Sequence, residues 1–173
     1  RVFYYFEEIC SIPHGSGNTK AISDYLTGFA REHGLRFRQD ELNNVIIWKD
    51  GQGEPVILQG HMDMVCDKDA DCDKDMAKEG LDLYIEDGFV KAKGTTLGGD
   101  DGIAVAMALA LLESEDEKLP PLEVIITVDE EVGMLGAAAI DTSDIKGKTM
   151  INIDSEVEGI FTVSCAGGVI ARC

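Results

Sequence analysis

Apolar residues recur at helical spacing from the start of the chain. Val2, Phe3, Phe6, Ile9 and Cys10 fall on one side of a helix that Pro13 brings to an end. Ile22, Tyr25, Leu26, Phe29 and Ala30 mark a second amphipathic helix, with Asn18 or Thr19 placed to cap it and Gly34 placed to stop it. Beyond Gly34 the period shortens. Residues 35–39, 45–48 and 55–59 read as strands, with Asp50-Gly51 turning between the last two. Residues 81–86 and 89–93 predict a hairpin around Asp87-Gly88.

The second half of the chain alternates between the two patterns. Residues 102–113 are apolar nearly all round and predict a buried helix, and 122–128 predict an apolar strand of the kind found inside parallel sheets. A short helix over 134–140 and strands over 149–153 and 160–164 follow. Strands alternating with helices place the chain in the α/β class, as a three-layer mixed sheet with helices on both faces. No internal repeat interrupts this pattern.

Composition narrows the classes of function. The 173 residues suit one domain or part of a larger one, and 45% hydrophobic residues with 4 prolines exclude a disordered acidic tail. A net charge of −18 argues against a nucleic-acid partner or an anionic membrane surface, since the phosphate contacts would lack cations. The apolar stretch 103–112 is about half of the ~20 residues that a membrane span needs. Five cysteines without a C-x-x-C pair (Cys10, Cys66, Cys72, Cys165, Cys173) favour free thiols in a reducing cytoplasm. Cys66, despite its nearness to His61, reads as a small buried thiol rather than a nucleophile. The chain opens at Arg1 inside a helical pattern, so an N-terminal stretch is expected to precede it. The acidic run 67–75 mimics the start of a calcium loop, but Cys72 stands where glycine is needed and Lys78 where glutamate is needed, which leaves a solvated loop.

Four polar clusters carry the candidate chemistry, each at the end of an apolar strand or the start of the buried helix. His61 and Asp63 flank Met62 after the strand 55–59, and in an extended tripeptide they point to the same side. One imidazole nitrogen is then free for a metal while a carboxylate fixes the ring through the other. Asp100 and Asp101 open the buried helix with more negative charge than a helix cap requires, and a divalent cation would relieve their repulsion. Glu130 and Glu131 follow the strand 122–128, where adjacent side chains diverge; one can hold a metal while its neighbour faces a water. Asp154 lies just past the strand 149–153. Ligands collect at the carboxyl ends of strands in open α/β sheets, and this donor set suits zinc, manganese or cobalt.

These segments resemble a known family. His61-Met62-Asp63, Gly94 through Gly102 (GTTLGGDDG), Glu130-Glu131-Val132-Gly133 and Asn152 through Glu156 (NIDSE) are similar to the two-zinc metallopeptidases related to carboxypeptidase G and aminoacylase. The GTTLGGD segment, the INIDSE segment, Cys165-Ala166-Gly167-Gly168 and Cys10 through His14 resemble more closely the aminoacyl-histidine dipeptidases of that family. The resemblance implies two divalent ions, zinc in the first place. Asp100 would be the carboxylate bridging both, with a cis peptide joining it to Asp101; His61 and Asp154 would complete one ion, and Glu131 would bind the other. Glu130 would be the general base and Asp63 would orient His61. The implied reaction is hydrolysis of Xaa-His dipeptides, β-alanyl-histidine included, by a full-length homodimer.

The resemblance also implies parts that this chain lacks. The family's second metal takes a further histidine from late in the chain, beyond an inserted lid that also forms the dimer. The three histidines here, His14, His33 and His61, do not match it. His33 lies on the apolar face of the second helix, and His14 sits in the turn after Pro13. Residues 1–173 are therefore expected to be the N-terminal part of a catalytic domain that binds one ion better than the second and turns over dipeptides poorly by itself. Two other readings compete: a paired-metal aminopeptidase acting on longer peptides, and a non-catalytic metal-binding module. A free base beside a metal ligand argues against the latter.

Overall fold

The computed structural model describes residues 1–155, 157 and 159–164. Glu156, Cys165, Cys173 and the segment from Cys165 to Gly168 lie outside the described residues. The elements follow the order α1 (Val2–Cys10), α2 (Lys20–Glu32), β1 (Arg36–Gln39), β2 (Val45–Lys49), β3 (Val56–His61), β4 (Leu83–Glu86), β5 (Phe89–Ala92), α3 (Gly99–Glu113), β6 (Leu122–Thr127), α4 (Leu135–Ala139) and β7 (Thr149–Asn152).

Five strands form one mixed sheet in the order β1-β2-β6-β3-β7. The pairs β1–β2 and β2–β6 are antiparallel, whereas β3 runs parallel to both β6 and β7. The expectation that residues 122–128 sit inside a parallel sheet thus holds on one side of β6. Strand β2 shows how the pleat divides the core. Val45 and Ile47 join the main cluster with Leu58, Val124 and Ile126, while Ile46 and Trp48 face the opposite way with Ile57 and Ile125.

Helices α1, α2 and α3 bury the main cluster. Ile9, Ile22, Leu26 and Leu109 are completely inaccessible, and α3 packs against α1 and β3. On the other face Ile140, the residue that ends α4, and Ile145 pack on the smaller cluster. That segment is tied down by Glu123, a buried carboxylate on β6 that accepts the amides of Lys146 at 3.0 Å and Gly147 at 2.7 Å. The hairpin β4–β5 turns at Asp87 and Gly88, both at positive φ, as its two-residue loop demands.

Three local expectations change. Residues 160–164 form no strand; Phe161 and Val163 are almost fully exposed, and no partner strand stands beside them among the described residues. Thr19 takes the N-cap position of α2 without a side-chain cap bond, and the Asn18 side chain is engaged elsewhere, donating to the carbonyl of Ala77. Cys66 is exposed, not buried, since it lies on the loop that leaves β3. Cys10 is the buried thiol, and burial pushes it up to about 12.

Candidate metal centre

Because β6, β3 and β7 are parallel neighbours, their carboxyl ends share one edge of the sheet. His61 is the last residue of β3, Glu130 and Glu131 follow β6, and Asp154 lies two residues past β7. The start of α3 supplies the remaining acids. Gly98 takes a left-handed φ of 68°, and a Cβ there would meet the Met64 sulfur at 2.8 Å, so only glycine lets the chain turn into the helix at this point. The Asp100–Asp101 peptide is cis, and neither residue has helical dihedrals although the helix is already under way.

The structure brings His61, Asp100 and Glu131 together: one ligand atom from each lies within 4.8 Å of the other two. His61 Nε2 stands 3.1 Å from Asp100 Oδ1 and 4.0 Å from Glu130 Oε2. On the other side of the ring, Nδ1 donates to the main-chain carbonyl of Asp63 at 2.9 Å and lies 3.4 Å from its carboxylate. His61 and Asp63 thus lie side by side as the sequence implied, and Nε2 is the nitrogen left facing the carboxylates. Asp154 is exposed and outside this group of three, although its charge reaches Asp101.

Exposure differs sharply across the site. His61 and Asp63 are fully buried, whereas the Asp100 side chain is 72% exposed and faces the open side. Burial opposes a charge on His61, but its hydrogen bond to Asp63, the charges of Asp101 and Asp63, and its hydrogen bond to Asp100 outweigh it and carry the imidazole up to about 9. Burial, with the charges of Asp154 and Asp100, pushes Asp101 up to about 7 against the pull of His61. Burial and the Asp100 charge also raise Glu131. An imidazole nitrogen facing several converging carboxylates is a donor set that a divalent cation fits, because the ion would replace the repulsion with attraction.

Several supporting residues escaped the sequence reading. Ser16 donates to Asp63 Oδ2 at 2.7 Å, and the amide of Glu130 donates to Asp63 Oδ1 at 3.1 Å. Burial alone would raise Asp63, yet these bonds and His61 hold it below the usual carboxylate range. Asp101 accepts the amide of His61 at 3.2 Å, so the second acid of the pair braces β3. Asp129 accepts the amide of Gly17 at 2.7 Å, which pins the loop after Pro13 over the site. His14 belongs to that loop; it is buried, its Nδ1 faces the carbonyl of Ile12, and burial lowers its pKa. His33 stacks on Phe29, remote from these groups. The run 67–75 stays solvent-facing and contributes nothing to the cluster.

A mixed sheet with an imidazole and several carboxylates gathered near its parallel strand ends makes a candidate metal site, and the sequence comparison specifies the class. The pattern of peptidase family M20/M25/M40 matches residues 57–168, and the chain belongs to that family. It is 41% identical over 169 residues to the cytosol non-specific dipeptidase of Escherichia coli, a match that covers 95% of this chain and 35% of the relative. Among solved structures, aminoacylhistidine dipeptidase from Vibrio alginolyticus aligns with a TM-score of 0.87 and 42% identity over 91% of this chain and 33% of that one. A tripeptidase from Staphylococcus aureus shares the fold at a TM-score of 0.77 and 23% identity, over 91% of this chain and 43% of that one. The chain spans about a third of the length of the two dipeptidases. Among the described residues, no helix is long and apolar enough to cross a membrane.

Proposed function

We propose that this chain is the N-terminal part of the catalytic domain of a metal-dependent dipeptidase, which cleaves Xaa-His dipeptides, β-alanyl-histidine among them, in the cytoplasm. The observation that carries the reading is the convergence of His61, Asp100 and Glu131 within 4.8 Å, with Glu130 beside them. The 41% identity to a non-specific dipeptidase and the 42% identity to an aminoacylhistidine dipeptidase support it. The whole protein would act as a homodimer, with a lid and a further histidine ligand outside these residues.

In this reading His61, Asp100, Glu131 and Asp154 would hold the divalent ions, zinc above manganese or cobalt. Such ions supply a Lewis acid for the scissile carbonyl and lower the pKa of water at the site. Glu130 takes the proton of the attacking water and returns it to the leaving amine. Asp63 keeps Nε2 of His61 directed at the carboxylates by engaging the opposite side of the ring.

The test is hydrolysis of alanyl-histidine, leucyl-glycine and trileucine by the full-length protein with zinc. Expected are turnover of both dipeptides, loss on chelation, and a fall of about 100- to 10,000-fold in Glu130→Gln. Faster cleavage of trileucine would favour the aminopeptidase reading, and undiminished activity in Glu130→Gln would refute the assigned base. The 173-residue chain alone is expected to turn over dipeptides poorly, and robust turnover by it would contradict the incompleteness of the site.

A further inference from the structure

A cavity of about 470 Å³ opens directly beside the metal centre and shares Glu131 with it. That size falls within the range of small-ligand pockets, about 300–1,000 Å³. Its walls are mostly apolar: Met64, Val65, Met76, Ala77 and Val132. Met64 is buried and forms the floor, whereas Val65 is 44% and Val132 57% exposed, which leaves valine side chains in water at the edge of a polar site. Apolar surface left open in a concave site favours a ligand that covers it.

The polar groups in the wall are already engaged. The Ser16 hydroxyl donates to Asp63, and the Asn18 amide donates to the Ala77 carbonyl. Burial and the Asp67 charge raise the Cys66 thiol, so it stays uncharged at neutral pH. Glu131 is the one charged side chain in the lining, and it is turned to the metal group. With Glu131 turned to the metal group, no other side chain in the wall carries a charge to pair with a charged substituent.

We propose that this pocket receives the aliphatic side chain of the substrate residue whose carbonyl sits at the metal centre. The assignment rests on the dipeptidase reading and adds a preference to it: leucine, methionine or valine over glycine, and over acidic or basic residues, at that position. Two methionines in the wall suit such a role, because a flexible thioether adapts to side chains of different shape.

The test uses the zinc-loaded full-length protein with two metal-chelating probes, leucine hydroxamate and glycine hydroxamate, titrated by calorimetry. The wild type is expected to bind the leucine probe roughly tenfold or more tightly than the glycine probe, as four extra apolar carbons in a pocket should give. In Met76→Gln, a half-exposed loop position outside the metal group, that ratio should fall at least about threefold, with glycine hydroxamate unchanged. Equal affinity of the two probes for the wild type would overturn the pocket, and so would a ratio that survives Met76→Gln. Binding of neither probe would overturn the dipeptidase reading itself, and the pocket would fall with it.

Discussion

Replacing Asp63 by asparagine isolates the charge that supports His61 while sparing the fold. An asparagine Oδ1 can still accept the Glu130 amide, and its NH2 group can donate to the Ser16 hydroxyl, so both neighbours now bonded to Asp63 keep partners. What disappears is the negative charge 3.4 Å from His61 Nδ1. His61 stands at about 9 against an ordinary 6.5, and at about 1.4 kcal/mol per unit the whole shift corresponds to about 3 kcal/mol. Asp101 and Asp100 supply part of it and remain in the variant, so a fall of about one unit is expected, worth about 1.4 kcal/mol. Because the folded pKa is raised, this stabilisation is fully present below about pH 6.5 and is lost as pH rises through about 9. The assay is the NMR titration of the His61 ring in chelator, paired with urea unfolding at about pH 6 and pH 10. The variant should titrate about a unit lower and lose less stability across that interval. A His61 that still titrates near 9 in Asp63→Asn would refute the assignment of the shift to Asp63.

Three further outcomes follow from the geometry. Glu123→Ala removes the acceptor of the Lys146 and Gly147 amides and should cost about 2–4 kcal/mol in urea unfolding; a loss below about 0.5 kcal/mol would mean that this buried carboxylate does not anchor the segment after α4. Gly60→Ala would place a Cβ 2.5 Å from Asp101 Oδ2 and 2.9 Å from Ala104 Cβ, so a destabilisation of about 1–3 kcal/mol and weaker zinc binding are expected, and wild-type behaviour in both would show that β3 and α3 are not in close register there. A metal takes the neutral imidazole, so zinc affinity measured in chelator buffers should rise by about tenfold per pH unit from pH 6 and level off near the His61 value of about 9; a flat profile between about pH 6.5 and 8.5 would exclude His61 as a ligand.

The central sheet was legible because its strands are uniform. Residues 45–48 and 122–127 are buried on both faces, and such strands show as apolar runs whatever lies around them. The convergence of His61, Asp100 and Glu131 was legible for a related reason: polar clusters that end the apolar strands β3 and β6 and open the apolar helix α3 stand out against the runs beside them. The loop after Pro13 was not legible. Ser16 and Gly17 meet Asp63 and Asp129 across 47 and 112 residues, and no local pattern records such contacts. The alternating segment 160–164 misled for the complementary reason, since alternation states which residues would face a core and not whether a neighbouring strand is there to pair with. Exposure of Cys66 was hidden in the same way, because burial of a thiol on a loop depends on what crosses it.

Metal binding by His61, Asp100 and Glu131 is open to direct test in a calorimetric zinc titration of the metal-stripped chain, with Asp100→Ala as the control. Asp100 is the exposed carboxylate nearest to His61 Nε2, and its loss should leave the fold intact while removing a donor from the group of three. The wild type should show one tight zinc site, weakened about a hundredfold in Asp100→Ala. An absence of specific binding in the wild type, or a site that Asp100→Ala leaves unchanged, would contradict metal binding by these residues.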